Sequence, residues 1–115
     1  MGAQMEVGID IEEIKRFQKS IKDKKFIERV FSKDEIKYCS SKKNSIQHYA
    51  ARFAGKEAVW KAINKYKKIS IPDISFKNSI LGKPEVYIKG KKQKNIEVSF
   101  SHNRNTVVAV AVFSR

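Results

Sequence analysis

A single cysteine, Cys39, leaves no partner for an internal disulfide and too few thiolates for a cysteine-rich zinc site; it fits a reducing cytoplasm. Histidine is nearly as scarce. His48 and His102 are the only two, so transition-metal sites and a Cys/His nucleophile have little support. Two prolines and five glycines leave no linker rich in either residue, and no internal repeat is visible. Long hydrophobic runs are missing as well. The longest, Val107 to Phe113, is far too short to span a bilayer, and no charged-then-apolar leader is seen. Carboxylates are few: 12 Asp+Glu face 25 Lys+Arg, a formal net charge of +13. That excess favours an anionic partner, whether nucleic acid, a membrane surface, a phosphorylated ligand or an acidic protein, without choosing among them. Lysine predominates, and it acts as a point charge rather than a bidentate reader of phosphates or bases.

What remains suffices for one domain spanning 1–115. The apolar fraction is 41%, enough for a core, and 115 residues are too few for two ordinary domains. So small a chain has little room for a deep internal pocket, which makes a site between subunits plausible. Residues 1–4 are expected to be a disordered start or an expression remnant, because a second Met opens the patterned sequence at position 5.

Met5 to Ile11 alternates apolar and polar residues, as a strand does, and is expected to end around Asp10. Glu12 to Ile21 then reads as a helix with Ile14, Phe17 and Ile21 on one face and Lys15, Arg16, Lys19 and Lys22 on the other; its two leading carboxylates suit the helix dipole. Phe26 to Val30 makes one helical turn after a polar break. Ser32 with Glu35 is a capping-box pattern opening a helix to about Cys39. The longest helix runs roughly from Ser45 to Asn64. Beyond Tyr66 the period changes to two: strands are expected at Ile74 to Asn78, Glu85 to Ile88, Ile96 to Ser101 and Thr106 to Phe113, with turns at Leu81 to Pro84 and Gly90 to Asn95. A strand, then helices, then a run of strands predicts an α+β fold with a mostly antiparallel sheet.

The long helix holds the anomaly. At about 100° per residue, Ile46, Ala50, Phe53, Ala54 and Trp60 share one stripe, and Glu57 falls near its centre. A carboxylate there needs a cation, hydrogen-bond donors or a proton. Two readings are open: an ion pair with Lys61 one turn on, or a metal ligand. Asp10 is equally double, as a cap for the following helix or as the second carboxylate of a Mg²⁺ site. His102, at a strand end, is either structural or a phosphate contact. Gly55-Lys56 resembles the end of a phosphate-binding loop only superficially, since the upstream glycine is missing and Glu57 stands where Ser or Thr is required.

Four stretches in order carry a resemblance: Gly8-Ile-Asp10-Ile-Glu-Glu-Ile-Lys-Arg16, Arg52-Phe-Ala-Gly-Lys56-Glu57-Ala-Val-Trp-Lys61-Ala, Gly82-Lys-Pro84 and Val98-Ser-Phe-Ser-His102. Together they resemble the small, single-repeat 4′-phosphopantetheinyl transferases, the holo-acyl-carrier-protein synthases. The resemblance implies that family's fold, with an antiparallel sheet packed with one long helix and shorter helices. It implies transfer of phosphopantetheine from coenzyme A to a serine of apo-acyl carrier protein, releasing adenosine 3′,5′-bisphosphate, in support of fatty acid biosynthesis. By the same resemblance Asp10 and Glu57 hold Mg²⁺, with Mn²⁺ as a substitute. Lys61 serves the departing phosphate, and Glu57 or a metal-bound water takes the serine proton. Arg52, Lys56, Lys61 and His102 lie near the coenzyme A phosphates, and Lys83 and Pro84 near its nucleotide. Arg16 docks the acidic carrier, the assembly is a homotrimer, and the location is cytoplasmic. Neither nucleic acid nor a membrane is expected as a partner. The competing readings are a basic module that binds nucleic acid and a catalytically silent docking partner of carrier proteins.

Overall fold

The computed structural model describes residues 4–115; the expectation of a disordered start falls, for residues 1–3, outside them. Gln4 is tied down, its backbone carbonyl accepting from the amide of Arg115 at 2.9 Å. The chain opens with strand β1 (Met5–Glu13), followed by helices α1 (Ile14–Ser20), α2 (Lys24–Val30), α3 (Lys33–Ser40) and α4 (Ser45–Ile63). A 3-10 turn at Ile71–Asp73 leads into β2 (Ile74–Asn78), β3 (Pro84–Ile88), the two-residue β4 (Lys91–Lys92), β5 (Ile96–His102) and β6 (Thr106–Ser114). The class is α+β, and every strand pair is antiparallel. The strands form two three-stranded sheets, β1-β6-β5 and β2-β3-β4.

The alternation read in β1 is present, with its apolar residues on the outward face. Val7, Ile9 and Ile11 point outward, 63%, 59% and 63% exposed, while Glu6, Gly8, Asp10 and Glu12 occupy the inward positions. On the central strand β6 the inward residues are Val107, Ala109, Ala111 and Phe113. Gly8 pairs with Ala111 and Asp10 with Ala109, so the sheet's inner surface is small where α4 crosses it. The strand also continues past Asp10 to Glu13. Asp10 is therefore a mid-strand residue, not a helix cap, and the cap position of α1 falls to Glu13, whose side chain makes no capping bond. Glu12 and Glu13, expected in the first turn of a helix, belong to the strand.

Helix α4 is enclosed on several sides rather than along one stripe. Ala54, Ala58 and Val59 are wholly buried, as is Ile63 near its end, whereas Phe53, Glu57 and Trp60 are half-buried. A helix between a sheet, a second hairpin and other helices has no single polar face, so the stripe computed from sequence does not identify its buried side. Over its N-terminal half an aromatic cluster seats the short helices: Phe17 lies 5.4 Å from Phe53, and Phe31 lies 5.1 Å from Tyr49, centroid to centroid. Such aromatic pairs contribute about 0.5–1.5 kcal/mol beyond their buried area. The capping box of α3 is present, with the Ser32 hydroxyl accepting from the Glu35 amide at 3.1 Å. Asp23, read as part of a polar break, instead caps α2. The turn between β3 and β4 falls at Lys89 and Gly90, both with positive φ, as a two-residue hairpin requires.

Candidate active site

Close contact between β1 and α4 assembles the first cluster. Lys61 donates to the Ile9 carbonyl at 3.0 Å and pairs with Asp10 Oδ1 at 3.4 Å. Lys61, one of the two partners read for Glu57, pairs with Asp10 instead, because β1 turns Asp10 inward onto the helix. Asp10 Oδ2 is buried and has no hydrogen-bond partner among the described residues. Burial and then the Asp10 charge push the Glu57 carboxyl up, against the pull of Lys61. Glu12, two residues beyond Asp10 on the same strand face, is pushed up to about 8 by burial and then by the adjacent Asp10 and Glu57, with Arg16 opposing. Sequence reasoning missed Glu12. The available signal was its spacing of two from Asp10, which places both on one face of a strand.

Asp10 raises the carboxyls of both Glu12 and Glu57, and Lys61 offsets only part of that like-charge repulsion, so a further cation would be favoured here. Among the described residues no three His, Cys, Asp or Glu side chains form a ready-made metal cage. Mg²⁺, however, is ordinarily held by one or two carboxylates plus ligand phosphates and water. The hard oxygen donors of Asp10 and Glu57 fit that requirement.

A second cluster is cationic. Arg52 is 6% exposed; its guanidinium lies 4.6 Å above the Tyr38 ring and donates to Asn78 Oδ1 at 3.3 Å. Its Nε is buried without a partner among the described residues. Lys42 sits over Tyr38 at 4.7 Å, and His48 meets the same ring edge-on at 5.6 Å. Burial and then the charges of Arg52, Lys42 and His102 hold the His48 imidazole below its usual range, hence neutral at pH 7. His102, at the end of β5, belongs to the same neighbourhood. Such a group of cations around a stacked arginine suits a phosphate.

The remaining expected residues lie elsewhere. Lys83 pairs with Glu97 at 2.8 Å, and with Pro84 at the start of β3 it borders a groove of about 470 Å³ shared with Ser99, Val110 and Val112. Arg16 is exposed on α1 beside Lys15 and Lys19. Lys56, expected at the phosphates, is not on the surface at all. Its side chain is fully buried, with Nζ 2.7 Å from Glu35 Oε1 and also bonded to the Ile74 carbonyl. Successive residues differ by about 100° in direction around a helix. That phase turns Lys56 into the core toward β2 and leaves Glu57 at the edge beside Asp10.

Residues 6–111 match the family model of the 4′-phosphopantetheinyl transferase superfamily. A holo-[acyl-carrier-protein] synthase of Thermodesulfovibrio yellowstonii is 42% identical over 110 residues, 94% of this chain and 96% of that protein. One from Ruminiclostridium cellulolyticum is 41% identical over 124 residues, covering 96% and 92%. Among solved structures, the Bacillus anthracis holo-(acyl-carrier-protein) synthase in complex with CoA (3′,5′-ADP) superposes with a TM-score of 0.82 at 30% identity, covering 98% of both chains. The Helicobacter pylori enzyme in complex with coenzyme A gives 0.73 at 32% identity, covering 95% and 99%. The chain belongs to the 4′-phosphopantetheinyl transferase superfamily, and within it to the holo-[acyl-carrier-protein] synthases.

Proposed function

We propose that this transferase moves 4′-phosphopantetheine from coenzyme A to a serine hydroxyl of apo-acyl carrier protein in a Mg²⁺-dependent reaction, releasing adenosine 3′,5′-bisphosphate and supporting fatty acid biosynthesis in the cytoplasm. The observation that carries the reading is the pairing of Asp10, Glu57 and Lys61 in one cluster. The separate cationic cage around Arg52 adds to it. A nucleoside bisphosphate joined to a diphosphate presents charge that both clusters suit.

Asp10 and Glu57 hold the metal. When bound, Mg²⁺, or Mn²⁺ in its place, supplies neutralisation of the diphosphate charge. The serine oxygen bonds to the phosphorus that carries the pantetheine arm, and the bond from that phosphorus to the bridging oxygen breaks. The electron pair leaves on the 5′-phosphate of the bisphosphate. Lys61, half-exposed at the mouth of the cluster, neutralises or protonates that phosphate. Glu57, its basicity raised by burial and then by Asp10, is the side-chain candidate to accept the serine proton. Little covalent chemistry falls to the protein in phosphoryl transfer; position and charge dominate. Arg52 and His102 contact coenzyme A phosphate, and Lys83 and Pro84 border its nucleotide. Arg16 docks the acidic carrier, with the +13 net charge aiding encounter.

The outward apolar face of β1 supports a homotrimer. Val7, Ile9 and Ile11 continue onto the outward Val108, Val110 and Val112 of β6. Monomeric proteins rarely leave such a contiguous face in water. Neighbouring copies that cover it bring their grooves beside one another, which suits sites between subunits.

Incubation with coenzyme A, Mg²⁺ and apo-acyl carrier protein is expected to add a phosphopantetheine to the carrier, read by mass spectrometry. No gain with any of several bacterial carriers rejects the reading.

A further inference from the structure

The mechanism leaves one buried ionic group without a task. Glu35 is 1% exposed and Lys56 fully buried, so both side chains are closed off from the surface. Their bonds link three elements. Glu35 Oε1 accepts from Lys56 Nζ on α4 and from the Ser32 amide at the start of α3. Its other oxygen, Oε2, accepts from the Phe76 amide of β2 at 3.0 Å. Lys56 also donates to the Ile74 carbonyl on that strand. One carboxylate and one ammonium thus clamp α3, α4 and β2 together.

The same three elements supply the Arg52 cage, and the register is regular. Arg52 lies one helical turn before Lys56, on the same side of α4. Tyr38, on which Arg52 stacks, lies three residues after Glu35, on the same side of α3. Asn78, which accepts from Arg52, lies two residues after Phe76, on the same face of β2. Each cage residue is one repeat of its own element away from a clamp residue. Arg52 itself has one side-chain acceptor at 3.3 Å and a buried Nε with none, so its orientation depends on where α3 and β2 stand.

We infer that Glu35 and Lys56 are positioning residues for the anion site: the buried pair sets the Tyr38–Arg52–Asn78 cage that receives a phosphate of the nucleotide. The inference rests on the proposed reading that Arg52 contacts coenzyme A phosphate. It gives Lys56 a role through Arg52 in place of a phosphate contact of its own. The pair is separate from the carboxylate cluster, so the metal site does not depend on it.

The test is titration calorimetry with adenosine 3′,5′-bisphosphate alongside Mn²⁺ binding by electron paramagnetic resonance. The proteins are wild type, Glu35→Gln, and the neutral double variant Glu35→Gln/Lys56→Met, each shown folded by circular dichroism. Glu35→Gln is isosteric, but it turns an NH₂ donor toward a backbone amide where Oε2 or Oε1 accepted one. If the double variant does not fold, Glu35→Gln carries the test alone. Bisphosphate affinity is expected to fall about tenfold or more, the scale of a misplaced binding group, while Mn²⁺ affinity stays at the wild-type value. In an Arg52→Ala background the Glu35→Gln change is expected to add nothing further, as coupled residues do. Wild-type bisphosphate affinity in folded variants overturns the inference. So does a parallel fall of both affinities, or an undiminished effect in the Arg52→Ala background. Failure of the wild-type protein to bind the bisphosphate instead overturns the functional reading beneath it.

Discussion

Gly8 of β1 lies so close to Ala58 of α4 that a methyl group on Gly8 would overlap the Ala58 carbonyl oxygen and stand 2.8 Å from the amide nitrogen of Ala62. Both obstacles are backbone, so no rotamer change relieves them. Gly8→Ala is expected to lift β1 from the helix and destabilise the fold by about 1–3 kcal/mol, the usual range for overpacking. Because Asp10 is two residues along the same strand face, activity should fall further than stability. Thermal unfolding with the carrier mass-shift assay measures both; an unchanged midpoint with full turnover would refute the tight contact.

Gly55 makes a different accommodation. Alanine is the better helix former by about 1 kcal/mol. A methyl group there would stand 2.8 Å from ring carbons of both Phe76 and Phe100, which meet edge-to-face 5.8 Å apart. Phe76 is buried and Phe100 is half-buried against it, so crowding is expected to outweigh propensity. Gly55→Ala should lower the unfolding midpoint; a rise would mean that the rings yield freely.

Asp10→Asn removes half of the proposed Asp10–Glu57 ligand pair and weakens the hold on Lys61. Loss of the metal's charge stabilisation, worth several kcal/mol, predicts a fall in turnover of about a hundredfold or more. Glu57→Gln is expected to act in the same direction. Titrating Mg²⁺ against rate should show a raised requirement in each. Wild-type rates and metal dependence in both variants would remove the metal assignment.

Ile9→Lys places a charge in the middle of the outward apolar face. A monomer should tolerate the change within about ±0.5 kcal/mol, since the site is exposed. A trimer built on this face should dissociate. Sedimentation velocity is expected to show a smaller species with reduced activity, and an unchanged sedimentation coefficient would place the subunit contact elsewhere.

Cys39 is wholly buried, and burial, the largest influence, pushes its thiol up to about 12. It should resist thiol reagents at pH 8 until the protein unfolds. The folded value is the higher one, so from about pH 9 upward the unfolded chain loses this proton first. The Cys39 contribution to stability therefore declines as pH rises toward 12. Cys39→Ala should flatten that part of the alkaline stability curve. Rapid labelling of the native protein would contradict the burial.

Much of the architecture was readable because it is local. The Ser32–Glu35 capping box, the long helix from Ser45 and the strands after Tyr66 follow from spacing alone. The errors share one cause. A period says which residues share a face, but not which face meets the core. In β1 the alternation left the inward face open, and it is Asp10 and Glu12 that face in while Val7, Ile9 and Ile11 face out. In α4 the stripe gave Glu57 a buried place that belongs to Lys56. The four ordered motifs were specific enough to indicate the family where the periodicities were not.

By itself, then, the sequence determined the α+β class, the order of elements, the excess of positive charge and the family, since each resides in composition, local pattern or motif. Tertiary structure alone decided that Lys61 meets Asp10, that Glu35 reaches Lys56 and Phe76, and that Arg52 stacks on Tyr38. Those contacts join residues far apart along the chain. The first depends on Gly8 and Ala58 letting β1 lie directly on α4, and no local pattern encodes that distance.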